Sequence, residues 1–138
     1  EKNNIEIINK KILVRNQINH SSVMMKKTEL ERLGGYNEVR KSQLDYELWL
    51  RAFSTNKVMY KIKAELTAKR IHKNQSYENK ERLKYTLNSS LLQIKYIIKN
   101  IKYFYYLPLP VLSFVLSQLP FKFRRIISRR VLGEKTYE

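Results

Sequence analysis

Asp45 is the only aspartate in this 138-residue chain, and it stands in Ser42-Gln43-Leu44-Asp45-Tyr46-Glu47-Leu48-Trp49. Its spacing from Ser42 is S-x-x-D, the capping box of a helix start. A carboxylate in a first helical turn meets free backbone N–H groups and the positive end of the helix dipole. Held at a loop–helix junction, the same carboxylate could accept a proton from a hydroxyl as a general base. Spacing alone favours the cap; both readings stand at this point. His20 and Ser21 lie in NQINHSSVMM, where a hydrogen-bonded polar loop is the ordinary reading. Trp49, the only tryptophan, reads as core before it reads as a ligand platform. His72, in HKNQS, has no second His, Asp or Cys at ligand spacing, so its neighbours do not argue for a metal. The chain has no cysteine, which excludes disulfides and thiolate metal sites.

The elements that must position these residues converge on Gly34–Arg51. Thr28 and Glu31 have capping-box spacing, which predicts a short helix over Thr28 to Leu33. Gly34 falls where a left-handed terminating residue belongs, and Gly35 loosens the turn further. A polar loop then reaches Ser42, and a helix is predicted over about residues 43–54. Leu44, Leu48, Ala52 and Trp49, Phe53 form two adjacent i, i+4 rows, an apolar stripe. Glu47 and Arg51 are expected as an ion pair on its outer face.

Upstream, Ile5–Ile8 and Ile12–Val14 read as strand or helix pieces. Val23, Met24 and Met25 suggest a buried strand. Downstream, Val58, Tyr60 and Ile62 alternate with lysines, the pattern of a half-buried strand, and Leu66 and Ala68 continue a second extended piece. Tyr77 to Ile101 is the longest helical pattern, with Ser76 as its cap. Its apolar positions are Leu83, Leu87, Leu91, Ile94, Ile98 and Ile101, opposite a lysine-rich face.

Charge is distributed unevenly. The formal net charge is +16, and residues 57–138 hold 18 of the 28 Lys and Arg but only 5 of the 12 acids. Such an excess implies an anionic partner. Tyr103 to Phe121 is uncharged, contains all three prolines, and lies between basic flanks. It reads either as a segment in the headgroup region of an anionic membrane or as a proline-broken helical hairpin packed on the domain. The chain begins at Glu1 rather than Met and has no signal-peptide pattern, as expected for a piece cut from a longer protein.

Four segments in order resemble family 2 glycosyltransferases: NQINHSSVM over 16–24, LGGYN over 33–37, DYELWLR over 45–51 and KRIH over 69–72. The resemblance covers roughly residues 12–77. It implies the C-terminal half of a GT-A nucleotide-sugar transferase domain, an α/β fold with a mostly parallel sheet. Residues 1–76 would form the acceptor and base side, and residues 77–138 an α-helical, membrane-associating tail. By motif position Asp45 is implied as the base of an inverting transfer. His20, Ser21, Gly35, Tyr36 and Trp49 are implied on the acceptor side, and Arg70 and His72 near the diphosphate and metal. The family's usual Glu before the Asp is Leu44 here, which puts acceptor positioning in question.

The implied reaction moves a sugar from a nucleotide-sugar to a glycan or lipid-linked acceptor in envelope polysaccharide synthesis, with Mg²⁺ or Mn²⁺ as cofactor. It would take place at the inner face of a bacterial plasma membrane, with the protein cytoplasmic, peripheral and bound through residues 99–138. A single aspartate leaves no room for the family's Asp-x-Asp donor motif, so these residues alone are expected to be inactive. Two other classes stay open. One is a basic nucleic-acid-binding module, which accounts for the charge and the ten tyrosines but not for the GGY and DYELW segments. The other is a membrane-surface module without catalysis.

Overall fold

The computed structural model describes residues 4–68 and 82–119. The elements in order are strand β1 (Ile5–Ile7), 3-10 turns at Lys10–Leu13 and His20–Ser22, and helices α1 (Lys27–Arg32) and α2 (Leu44–Ser54). Strand β2 (Tyr60–Ile62), helix α3 (Arg82–Lys99), a 3-10 segment at Ile101–Tyr106 and helix α4 (Pro108–Ser117) complete them. Arg70, His72, the Ser76 cap, the start of the long helical pattern and the basic tail beyond Leu119 lie outside the described residues.

α2 is the centre of the molecule. Tyr46, Glu47, Leu48, Trp49, Leu50 and Ala52 are all buried, so the helix is enclosed on more than the single stripe its sequence suggests. The 3-10 turn at Lys10–Leu13 covers one side with Ile12 and Leu13, and Tyr46 donates to the Ile12 carbonyl at 2.7 Å. α3 covers another with Leu92, Tyr96 and Ile97. These residues and Ile8 make one core, so the predicted domain portion and the long helix share it. Burial pushes the Tyr46 phenol above its ordinary ionisation range.

The only sheet among the described residues is antiparallel. β1 pairs with β2 in the register Ile5↔Ile62, Glu6↔Lys61 and Ile7↔Tyr60. The mostly parallel sheet implied by the resemblance is therefore not what these residues form. β2 falls where alternation predicts it, but Tyr60 and Ile62 are exposed, as are Ile5 and Ile7 opposite them. Alternation gave a ribbon with an apolar face, and no described element covers that face. Leu66 donates to the Ala64 carbonyl in a tight turn, and no strand forms over residues 66–68.

Three other expectations are corrected. Val23–Met25 is not a buried strand: Met24 is 99% exposed, because the chain leaves the His20 turn along the surface and enters α1 directly. Thr28 does not cap α1, which begins at Lys27 after Lys26 without a side-chain cap. α3 does not bury its leucine stripe. Its inward face is Ser90, Leu92, Gln93, Tyr96 and Ile97, while Leu83, Leu87, Leu91 and Ile98 are exposed. Polar anchors fix that rotation: Gln93 donates to the Val14 carbonyl at 3.1 Å and Ser90 to the Pro110 carbonyl at 3.0 Å. Pro108 opens α4 at a first-turn position, where its missing N–H costs nothing. The Tyr103–Phe121 run thus begins as a helical hairpin packed on α3.

Candidate functional site

The Gly-Gly turn is held from inside. α1 ends with Gly34 donating to the Glu31 carbonyl and Gly35 to the Leu30 carbonyl, both at 2.9 Å. This is a Schellman termination, and φ values of +82° and +67° make glycine the fitting residue at both positions. Arg51 reaches across from α2 and donates to the Leu33 carbonyl and, at 2.6 Å, to the Gly35 carbonyl. The same guanidinium pairs with Glu47 Oε2 at 3.0 Å, and Tyr96 of α3 donates to Glu47 Oε1 at 2.5 Å. Glu47 and Arg51 therefore pair as their spacing predicts, but inside the molecule, with side chains 7% and 22% exposed. Burial first, and then the Glu47 carboxylate as its hydrogen-bond acceptor, push the Tyr96 phenol above its ordinary range.

This network aims the loop that follows. Tyr36, next after the turn, lies edge-on to His20, with ring centroids 5.9 Å apart and planes at 89°. His20 also lies 6.5 Å from Trp49. His20 is exposed and Tyr36 half-buried, whereas Trp49 is 5% exposed and backs the pair from the core. Trp49 Nε1 is buried with no hydrogen-bond partner among the described residues. Ser21 is exposed beside His20 and donates to Asn19 Oδ1 at 3.2 Å. The polar loop turns on Asn37, whose side chain accepts from Val39 N–H and whose carbonyl accepts from Arg40 N–H.

The start of α2 departs from the capping-box expectation. The cap position is Gln43, in a left-handed conformation at φ +57°, and no side chain caps the helix. Gln43 is buried and donates to the Tyr85 carbonyl of α3 at 3.1 Å, which ties the loop to the long helix. Asp45 follows in the first turn, half-buried. No hydrogen bond or ion pair reaches its carboxylate from the other described residues. Asp45 and Trp49 are four residues apart on α2, so the carboxylate stands one turn from the ring that backs His20.

Of the residues singled out in the sequence, His20 is brought against both Tyr36 and Trp49, and Asp45 stands one turn before Trp49 on α2. Gly35 shapes the turn, Ser21 supports the His20 segment, and Arg70 and His72 lie outside the described residues. Sequence reasoning missed Gln43 and Tyr96 altogether; a glutamine before a helix and a tyrosine inside one carry no distinguishing spacing. It saw the Glu47–Arg51 pair but not its function of fixing the Gly-Gly turn.

No group of three or more His, Asp or Glu among the described residues could hold a metal ion. Protein-family models, curated proteins and solved structures were compared with this chain, and none matches it.

Proposed function

We propose that this chain carries the base and acceptor side of an inverting glycosyltransferase. The observation that supports it most is the state of Asp45. It lies at a loop–helix junction, is not used as a cap or in an ion pair among the described residues, and stands one turn from the Trp49-backed His20–Tyr36 pair. A sugar presents both hydroxyls and flat C–H faces, and a carboxylate beside aromatic rings suits both features. Asp45 accepts the proton of the acceptor hydroxyl as that oxygen attacks the anomeric carbon of the donor. The bond from that carbon to the diphosphate breaks, and the nucleoside diphosphate leaves with the electron pair.

Donor binding falls to sequence outside these residues, since one aspartate cannot form an Asp-x-Asp pair. The test is a transfer assay on the protein with its neighbouring sequence restored. A panel of nucleotide-sugars with glycan and lipid-linked acceptors should give acceptor-dependent release of a nucleoside diphosphate. Absence of release across the panel would remove this reading.

A further inference from the structure

The stripe that α3 leaves outside is part of a larger apolar face. Gln118 donates to Thr86 Oγ1 at 3.2 Å, and Ser90 donates to the Pro110 carbonyl, so α4 lies along the 86–90 side of α3. Leu83 and Leu87 are i±3 or i±4 neighbours of that seam, and Leu91 and Ile98 continue the stripe outward. α4, packed along α3, also exposes Val111, Leu112 and Val115, and the connecting 3-10 segment exposes Ile101, Phe104 and Tyr105. Isolated exposed leucines are ordinary; a run of them over two neighbouring helices marks an interaction surface.

The charge carried by this stretch of sequence has one sign. No Asp or Glu occurs between Glu81 and Glu134. Lys95 lies one turn from both Leu91 and Ile98. Lys99 sits over the Tyr96 ring and Lys102 over the Tyr103 ring, 5.9 and 5.0 Å from the centroids. A second copy would set lysine against lysine. A nucleic acid would satisfy the lysines and leave the leucines in water. An anionic bilayer surface accommodates both: apolar side chains enter the acyl boundary, ammonium groups reach the phosphates, and Tyr and Phe sit at headgroup depth. No helix among the described residues is long and apolar enough to cross a membrane.

We infer that the α3–α4 hairpin docks this protein on an anionic lipid surface, with Leu87, Leu91, Ile98 and Leu112 inserted and Lys95, Lys99 and Lys102 at the headgroups. The inference is independent of the chemistry at Asp45. It is tested by co-sedimentation of the whole chain with phosphatidylcholine vesicles and with vesicles that also contain phosphatidylglycerol. Leu91→Gln/Leu112→Gln changes apolarity without charge at two exposed positions, and Lys95→Gln/Lys99→Gln changes charge without apolarity. Circular dichroism and Trp49 fluorescence confirm that each variant stays folded. Binding to the anionic vesicles should weaken with salt without vanishing, and the leucine variant should bind roughly tenfold or more weakly at every salt concentration. The lysine variant should lose mainly the salt-sensitive part. Wild-type-like binding of the leucine variant would overturn the inference. So would a concentration-dependent dimer that this variant dissociates, in a protein that ignores vesicles.

Discussion

Removing Arg51 should cost more than any other single polar substitution in the described core. Its guanidinium donates to the Leu33 and Gly35 carbonyls and to Glu47, and Glu47 in turn accepts from Tyr96. Arg51→Met keeps the stem and removes the donors. It leaves the Glu47 carboxylate, 7% exposed, with one remaining hydrogen bond, and it frees the Gly-Gly turn. Breaking a buried pair from one side costs roughly 3–5 kcal/mol. Arg51 is 22% exposed, so the lower end, about 3 kcal/mol, is the expected loss. At this chain length that corresponds to a fall in Tm of roughly 6–12 °C.

The assay is urea unfolding followed by the fluorescence of Trp49, the single tryptophan, buried two residues from Arg51 and Glu47 alike. Adding Glu47→Met should restore about half or more of the loss, because the stranded carboxylate is then gone. A loss below about 1 kcal/mol for Arg51→Met, with no coupling to Glu47→Met, would refute the view that this pair holds the turn in place.

Gly34→Ala should destabilise by roughly 1–2 kcal/mol, read by thermal melting, because φ is +82° while a Cβ would meet only Arg51 Nη1 at 3.5 Å, an ordinary contact. Asn56 occupies the matching left-handed position after α2, at φ +56°, so Asn56→Gly should be neutral or stabilise by up to about 1 kcal/mol in the same assay. Tyr46 and Tyr96 are raised above the ordinary phenol value of 10.0. Their contribution is complete below the unfolded value and is lost as pH rises past it toward the folded one, so stability should fall above about pH 10. Tyr96→Phe should flatten that fall in a series of melts from neutral to alkaline pH, although it lowers stability at neutral pH by leaving Glu47 Oε1 without its donor while Arg51 keeps Oε2.

Local chemistry was legible in the sequence where a residue type admits one backbone solution. Gly34 ends α1 as its position predicts, and residues 60–62 form a strand. The extent of α2 follows from its two i, i+4 rows, to within a residue at its start. What sequence did not disclose is which way each element faces. Periodicity shows that α3 has an apolar stripe; the choice to turn Gln93, Ser90 and Tyr96 inward depends on carbonyls of Val14 and Pro110 and a carboxylate at Glu47, all distant in sequence. The same holds for Glu47 and Arg51, whose spacing is that of an exposed pair and whose burial is set by the turn they hold. Both capping boxes matched in spacing and failed in geometry, because Lys26 and Gln43 occupy the cap positions instead. At the candidate site, the spacing of Asp45 and Trp49 was readable, while the approach of His20 across the loop was not.

The measurement closest to the central claim is turnover of the protein, with its neighbouring sequence restored, after Asp45→Asn. Asn nearly matches the shape of Asp but cannot accept a proton at neutral pH. Since the carboxylate caps nothing among the described residues, the structural cost there is the helix-dipole contribution, about 0.3–1 kcal/mol. Sugar transfer should fall by roughly 10²–10⁴-fold, with unchanged donor binding and a Tm within a few degrees of wild type. Ser42→Ala, at a serine that likewise caps nothing, should leave both turnover and Tm near normal. Transfer by Asp45→Asn within a few-fold of wild type would contradict the assignment of Asp45 as the base.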